Sequence, residues 1–128
     1  MNISGFFAVG TGAFAGAVLR WVLGILLNPI FPTLPLGTLV ANLLGGLLMG
    51  LAMGVFAQFE ALPVVLRLAL TTGFLGGLTT FSTFSAETVS LLLRQQYAWA
   101  GATVATHLFG SLLMTFFGIG IVRLIASH

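Results

Sequence analysis

Four apolar runs, each long enough to cross a bilayer, fill nearly the whole chain, and only short polar or proline-bearing breaks separate them. A spanning helix needs about 20 mostly apolar residues, with a range of about 17–25. The first run covers about residues 3–27, carries Arg20 alone among charged residues, and stops at Asn28-Pro29, with Pro32 and Pro35 beyond. The second covers about 36–59 and ends at Glu60 and Pro63. The third, about 64–93, and the fourth, about 97–126, exceed a perpendicular crossing, so tilt or interruption is expected. The expected fold is an all-α membrane protein, a single domain over 1–128 with four transmembrane helices.

The charges agree. Charged residues make up 5% of the chain, against about 25% in a soluble domain. The ionisable side chains are Arg20, Arg67, Arg94, Arg123, Glu60, Glu87, His107 and His128, with no lysine or aspartate. These arginines are scattered, whereas a nucleic-acid surface needs clustered positive charge, so no nucleic-acid partner is expected. The absence of cysteine excludes disulfides, thiolate metal sites and cysteine nucleophiles. No basic segment precedes the first apolar run, which is expected to be a retained span and not a cleaved signal.

Four spans put both termini and the Glu60 loop on one side, with Arg67 and Arg123, and leave Arg20 and Arg94 toward the other. Two arginines against two give no preferred orientation under the positive-inside rule. Either other cues fix the orientation, or the chain inserts both ways and pairs antiparallel. Small residues four apart let membrane helices approach closely. Gly12 and Gly16, Gly46, Gly50 and Gly54, and Gly73 and Gly77 have that spacing, although it arises often in glycine-rich membrane chains. Four helices enclose little interior, so a homo-oligomer is expected.

Residues 71–87 stand out, with seven hydroxyl side chains, three glycines and a carboxylate inside an otherwise oily chain. Non-helical backbone at membrane depth is tolerated only when buried in protein or lining a wet cavity. Gly76-Gly77 followed by Thr79-Thr80 marks a place for such a departure, with the break expected near 76–80. Phe81 and Phe84, three apart, are neighbours on one helix face. They pack as core, or they turn their positive ring edges toward a small anion. Glu87 is the one carboxylate within a span, a proton carrier, ion ligand or hydrogen-bond anchor. Asn42, with Thr38 one turn earlier, either cross-links helices or turns its NH2 donors to a ligand. Thr103, His107, Ser111 and Thr115 recur every four residues along one face of the fourth span. Each hydroxyl can bond back to its own helix, but a stripe that includes histidine reads as the wall of a polar track. A lone histidine is no metal site. Arg20 either snorkels to the interface or lends positive potential to an anion's entrance.

The run Gly73-Phe-Leu-Gly-Gly-Leu-Thr-Thr-Phe-Ser-Thr-Phe-Ser85, with Glu87 behind it, closely resembles the signature of the CrcB/Fluc fluoride channels. Arg20-Trp21, Gly37-Thr38-Leu-Val-Ala-Asn42 and Gly110-Ser111 match that family's other short motifs, and the resemblance covers essentially the whole chain. His107 falls where family members vary between His and Tyr. The resemblance implies an antiparallel, dual-topology homodimer in the bacterial cytoplasmic membrane, in contact with its lipid, with two pores that pass fluoride. It implies that Asn42, Phe81 and Phe84 contact the ion, and that His107, Ser111 and Thr115 line its track. Ser82 and Thr83 belong to the same pore-facing segment, Arg20 to a vestibule, and Thr38 and Glu87 to the supporting polar set. It further implies that the third span is broken mid-membrane, where the backbone carbonyls of Gly76 and Thr79 hold a structural sodium ion (Na+) at the dimer centre.

The activity so implied is passive fluoride export, not enzymatic turnover. No phosphate-binding loop is present to couple transport to a nucleotide. The rival class is a proton-coupled small multidrug-type exporter, also of four spans and dual topology. Such exporters need a carboxylate in the first span, and this first span has none.

Overall fold

The computed structural model describes residues 1–127. Helix α1 runs Ile3–Leu27 and is followed by a single 3-10 turn, Asn28–Ile30. Helix α2 runs Leu36–Gln58. The third span begins as α3, Val64–Leu68, widens into a π-helical stretch, Ala69–Leu75, and continues as α4, Gly76–Leu78, and α5, Phe81–Leu93. Helix α6 runs Tyr97–Ala126. Four of these helical stretches are long and apolar enough to cross a membrane, and no strand occurs among the described residues.

Local chemistry sets the ends. Asn2 Oδ1 accepts from Gly5 N at 2.7 Å and caps α1. Pro35 and Pro63 stand immediately before α2 and α3, where the chain enters each helix extended. The first-turn amides of α2 are served from a distance: Asn28 Oδ1 accepts from Gly37 N at 2.7 Å and from Thr38 N at 3.2 Å. Those amides have no intrahelical acceptor, so Asn28 does for α2 what an adjacent cap normally does. Between α5 and α6, Gln95 takes a φ of 60°. Gln95 N donates to Leu92 O and Gln96 N to Leu91 O, the paired bonds of a Schellman ending.

Glycines decide which helices meet. A side chain at Gly12 would strike Ala69 O, and one at Gly16 would strike Phe74 O, so α1 lies backbone to backbone against the third span. On the other side of α2, Gly46 and Gly50 face the carbonyls of Ser111 and Thr115 on α6. The regular glycine spacing is thus used inside one chain, and it carries no information about an oligomer. Only a small apolar core results: Ala41, Leu75 and Leu78, with Leu19, Leu23, Leu44, Leu48, Met49 and Phe74 packed against it. Large apolar side chains such as Phe6, Phe14, Trp21, Phe109 and Phe116 point outward, as a lipid-facing surface requires.

Candidate functional site

The geometry of the site starts from a question of backbone bonds. Helical dihedrals end at Leu78 and resume at Phe81; Thr79 has φ −87° and ψ 156°, and Thr80 φ −147° and ψ 120°. Thr79 N still donates to Leu75 O at 3.0 Å. One residue on, Thr80 N donates to Asn42 Oδ1 at 2.8 Å instead of closing a turn onto Gly76 O. Thr83 N then donates to Thr80 Oγ1 at 3.1 Å, the cap of α5, instead of reaching Thr79 O. The carbonyls of Gly76 and Thr79 are therefore among those deprived of their helical donors. Two others are taken up by side chains: Arg20 Nε donates to Gly77 O at 3.1 Å, and Asn42 Nδ2 donates to Thr80 O at 3.0 Å.

Asn42 also reaches across to α6, where its Nδ2 lies 3.0 Å from His107 Nδ1. The His107 ring stacks on Phe84, with centroids 4.8 Å apart and planes at 38°. Phe84 in turn meets Phe81 edge to face at 5.5 Å and 65°. Below this aromatic pair opens a groove of about 440 Å³, lined by Asn42, Phe81, Phe84, His107, Ser111 and Thr115 and by the turn from Gly76 to Thr80. A second cavity of about 290 Å³ lies on the far side of Thr80, among Arg20, Trp21, Asn28, Thr38 and Thr83. Thr80 lines both and so stands between them. Thr38 Oγ1 donates to Glu87 Oε2 at 2.6 Å, which leaves Oε1 buried and without a partner among the described residues.

Most of the residues singled out in the sequence meet in this way, but their roles divide. Thr103 is fully buried and donates to Trp99 O at 2.9 Å, so it satisfies its own helix. The Thr115 hydroxyl is shared between Gly46 O and Ser111 O, each at 3.0 Å, and ties α6 to α2. The Ser111 hydroxyl has no side-chain partner among the described residues. Ser82 is exposed and contributes only a long contact, 3.4 Å, to Thr80 Oγ1. Phe81 is 80% exposed in the single chain, so one side of the groove is open. Sequence reasoning missed two long-range contacts, Asn28 to the start of α2 and Arg20 to Gly77 O. Only the chain-breaking Asn28-Pro29 pair hinted at the first.

The family model described as CrcB-like protein, Camphor Resistance (CrcB), matches residues 7–119. A protein of Nitrosospira multiformis, named fluoride-specific ion channel FluC, is 58% identical over 128 residues, the full length of both chains. A like-named protein of Cupriavidus necator is 58% identical over 126 residues, 98% of this chain and all of the relative. Another, of Aromatoleum aromaticum, is 58% identical over 117 residues, 91% of this chain and 89% of the relative. With a family match that takes in every element from α1 to most of α6, this chain belongs to the CrcB family.

Proposed function

We propose that this chain forms a passive, fluoride-selective channel that lets fluoride leave the bacterial cytoplasm. The observation that carries the proposal is the 58% identity, over the full length of both, to the protein of Nitrosospira multiformis named fluoride-specific ion channel, on a chain whose polar residues converge on one groove. Fluoride is small and strongly hydrated, so a path must replace its water with donors that still release it. The Phe81 and Phe84 edges, the His107 ring, the Ser111 hydroxyl and the first-turn amides of α5 are such donors. A helix N-terminus carries partial positive charge and favours anions, and α5 begins at the groove. Arg20, in the second cavity, adds positive potential at the entrance.

The interruption at Thr79 and Thr80 lies, on this reading, at membrane depth. It gives two half-helix ends of opposite character, a recurrent device in transport proteins. The carbonyl end suits a hard cation, and Gly76 and Thr79 offer two carbonyl oxygens without their helical donors. Two copies of the chain, inverted with respect to each other, would supply four such oxygens to a structural sodium ion that holds the pair together. The outward-facing Phe81 and exposed Gly76 fit a site completed by a second copy, with two pores per antiparallel homodimer. Cysteines placed at either terminus of the cysteine-free chain are expected to label from both faces of intact vesicles. Labelling from one face alone would remove the inverted dimer.

Undissociated HF enters cells and ionises inside, and an inside-negative potential then drives fluoride out with about 2.3 kcal/mol per charge per 100 mV. Passive conduction is tested in potassium-loaded proteoliposomes with a fluoride electrode. Fluoride should leave only when valinomycin provides a potassium counter-current, whatever the pH difference across the bilayer. Efflux that needs a proton gradient and ignores valinomycin would favour a proton-coupled exporter instead.

A further inference from the structure

We propose that Asn28 is a positioning residue that has to be neutral: its side-chain oxygen starts α2, and its uncharged NH2 end leaves Arg20 as the single charge of the entrance cavity. The proposal rests on the fluoride reading above and concerns the approach to the path, not the groups that hold the ion. Pro35, at the start of α2, offers no side-chain cap. Leu39 N reaches Pro35 O at 3.3 Å, and the amides ahead of it have no acceptor in their own helix. Two of them, Gly37 N and Thr38 N, donate to Asn28 Oδ1 at 2.7 and 3.2 Å. Both partners can only donate, so the oxygen of the amide faces α2 and its NH2 is turned away. The fit is close, since a Cβ at Gly37 would lie 2.6 Å from Asn28 Oδ1 and would strike Leu23 O. The same bond seats Thr38, whose hydroxyl reaches Glu87 Oε2 at 2.6 Å.

The NH2 end lies back along α1, where a carbon added at Gly24 would stand 3.3 Å from Asn28 Nδ2. Arg20, Gly24 and Asn28, four apart along one face, line the same cavity of about 290 Å³. Among the residues that line it, Arg20 alone is charged. For starting a helix an aspartate is as good as an asparagine, and its charge gains a further favourable interaction with the positive end of the helix. Stability alone would therefore accept a carboxylate at this position. Conduction would not. One oxygen of that carboxylate would take the place of Nδ2, offset the charge of Arg20 and bring negative potential to an anion's approach. Asn28 supplies the oxygen that α2 needs without that charge.

Two variants separate the cap from its neutrality: Asn28→Asp keeps the acceptor and adds a charge, and Asn28→Ala removes the acceptor and adds none. The unfolding midpoint of each is measured in detergent, and its fluoride efflux in proteoliposomes at neutral pH. Fluoride is kept well below saturation, and N-methylglucamine isethionate sets the same ionic strength on both sides before valinomycin starts the efflux. Asn28→Asp should unfold at or above the wild-type midpoint, yet pass fluoride roughly tenfold more slowly at low salt. Two like charges about 12 Å apart at an effective dielectric of about 20 repel by that much. Added salt should restore most of the loss, because the Debye length shrinks from about 30 Å at 0.01 M to about 3 Å at 1 M. Wild-type flux should hold or fall over the same range. Asn28→Ala should unfold several degrees lower and keep the wild-type salt response. An unchanged midpoint in Asn28→Ala, or one well below wild type in Asn28→Asp, would refute the cap. Undiminished flux from Asn28→Asp at low salt, or a loss that salt does not relieve, would refute the need for neutrality. Wild-type protein that carries no fluoride would end the channel reading and that need with it, while the midpoints judge the cap separately.

Discussion

Asn42→Asp is expected to reduce fluoride flux roughly a thousandfold without dispersing the fold. The substitution keeps the size of the side chain and exchanges its two donors for acceptors. The carboxylate then faces two acceptors, Thr80 O and His107 Nδ1, each 3.0 Å from the present Nδ2. It also brings a negative charge to the wall of an anion's path. At about 4 Å and an effective dielectric of about 20, two like charges repel by about 4 kcal/mol. Each 1.36 kcal/mol of barrier is tenfold in rate, which gives the stated loss. A fluoride electrode on proteoliposomes, with gel filtration of the same preparation, measures both parts. Wild-type flux from a well-folded Asn42→Asp protein would show that Asn42 and its partners stand outside the path.

Gly50→Val should prevent the protein from folding, while Gly101→Ala should be harmless. A Cβ at Gly50 would collide with Thr115 O, a backbone atom of α6 that cannot turn away. The same close approach allows Thr115 Oγ1 to donate to Gly46 O and keeps Ser111 beside the groove. Overpacking of a side-chain core costs about 1–3 kcal/mol, and a collision with backbone lies at or above the top of that range. At Gly101 no atom lies within 4 Å of the added carbon, and replacing a helical glycine by alanine gains about 0.5–1 kcal/mol. Thermal unfolding in detergent compares the two. A monodisperse Gly50→Val with an unchanged midpoint would contradict the packing of α2 on α6.

The large features of this molecule are legible in the sequence because they rest on one-dimensional signals. Apolar runs bounded by Asn28-Pro29, Pro35 and Pro63 mark the helices, since hydrophobic length and proline geometry act locally. The polar residues around the groove are visible for a similar reason: hydroxyls and an amide are out of place in oily helices unless they serve something. What each of them bonds to is not legible. Thr103, Ser111 and Thr115 look alike in a stripe that repeats every four residues with His107, yet one serves its own helix, one stays free and one ties two helices together. The difference lies in which carbonyls come within reach of each hydroxyl, a property of three-dimensional packing. Arg20 offers the same lesson. From sequence it snorkels or attracts anions; in the fold it also holds Gly77 O, beside the carbonyls freed at the turn.

The extended pair Thr79-Thr80 connects these observations. The Thr80 amide and carbonyl are diverted to Asn42 and the Thr80 hydroxyl accepts from Thr83 N, so Gly76 and Thr79 lose their helical donors, while Arg20 takes up Gly77 O. Restarting the helix at Phe81 opens a first turn of α5 beside the groove that Phe81 and Phe84 line. A continuous helix would consume those first-turn amides internally.

The most direct measurement places fluoride and chloride in competition. Proteoliposomes loaded with equal amounts of both anions are watched by two selective electrodes as valinomycin is added. Fluoride should be released promptly while chloride stays inside. Release of both at similar rates, or of neither, would contradict a fluoride-selective path through this fold.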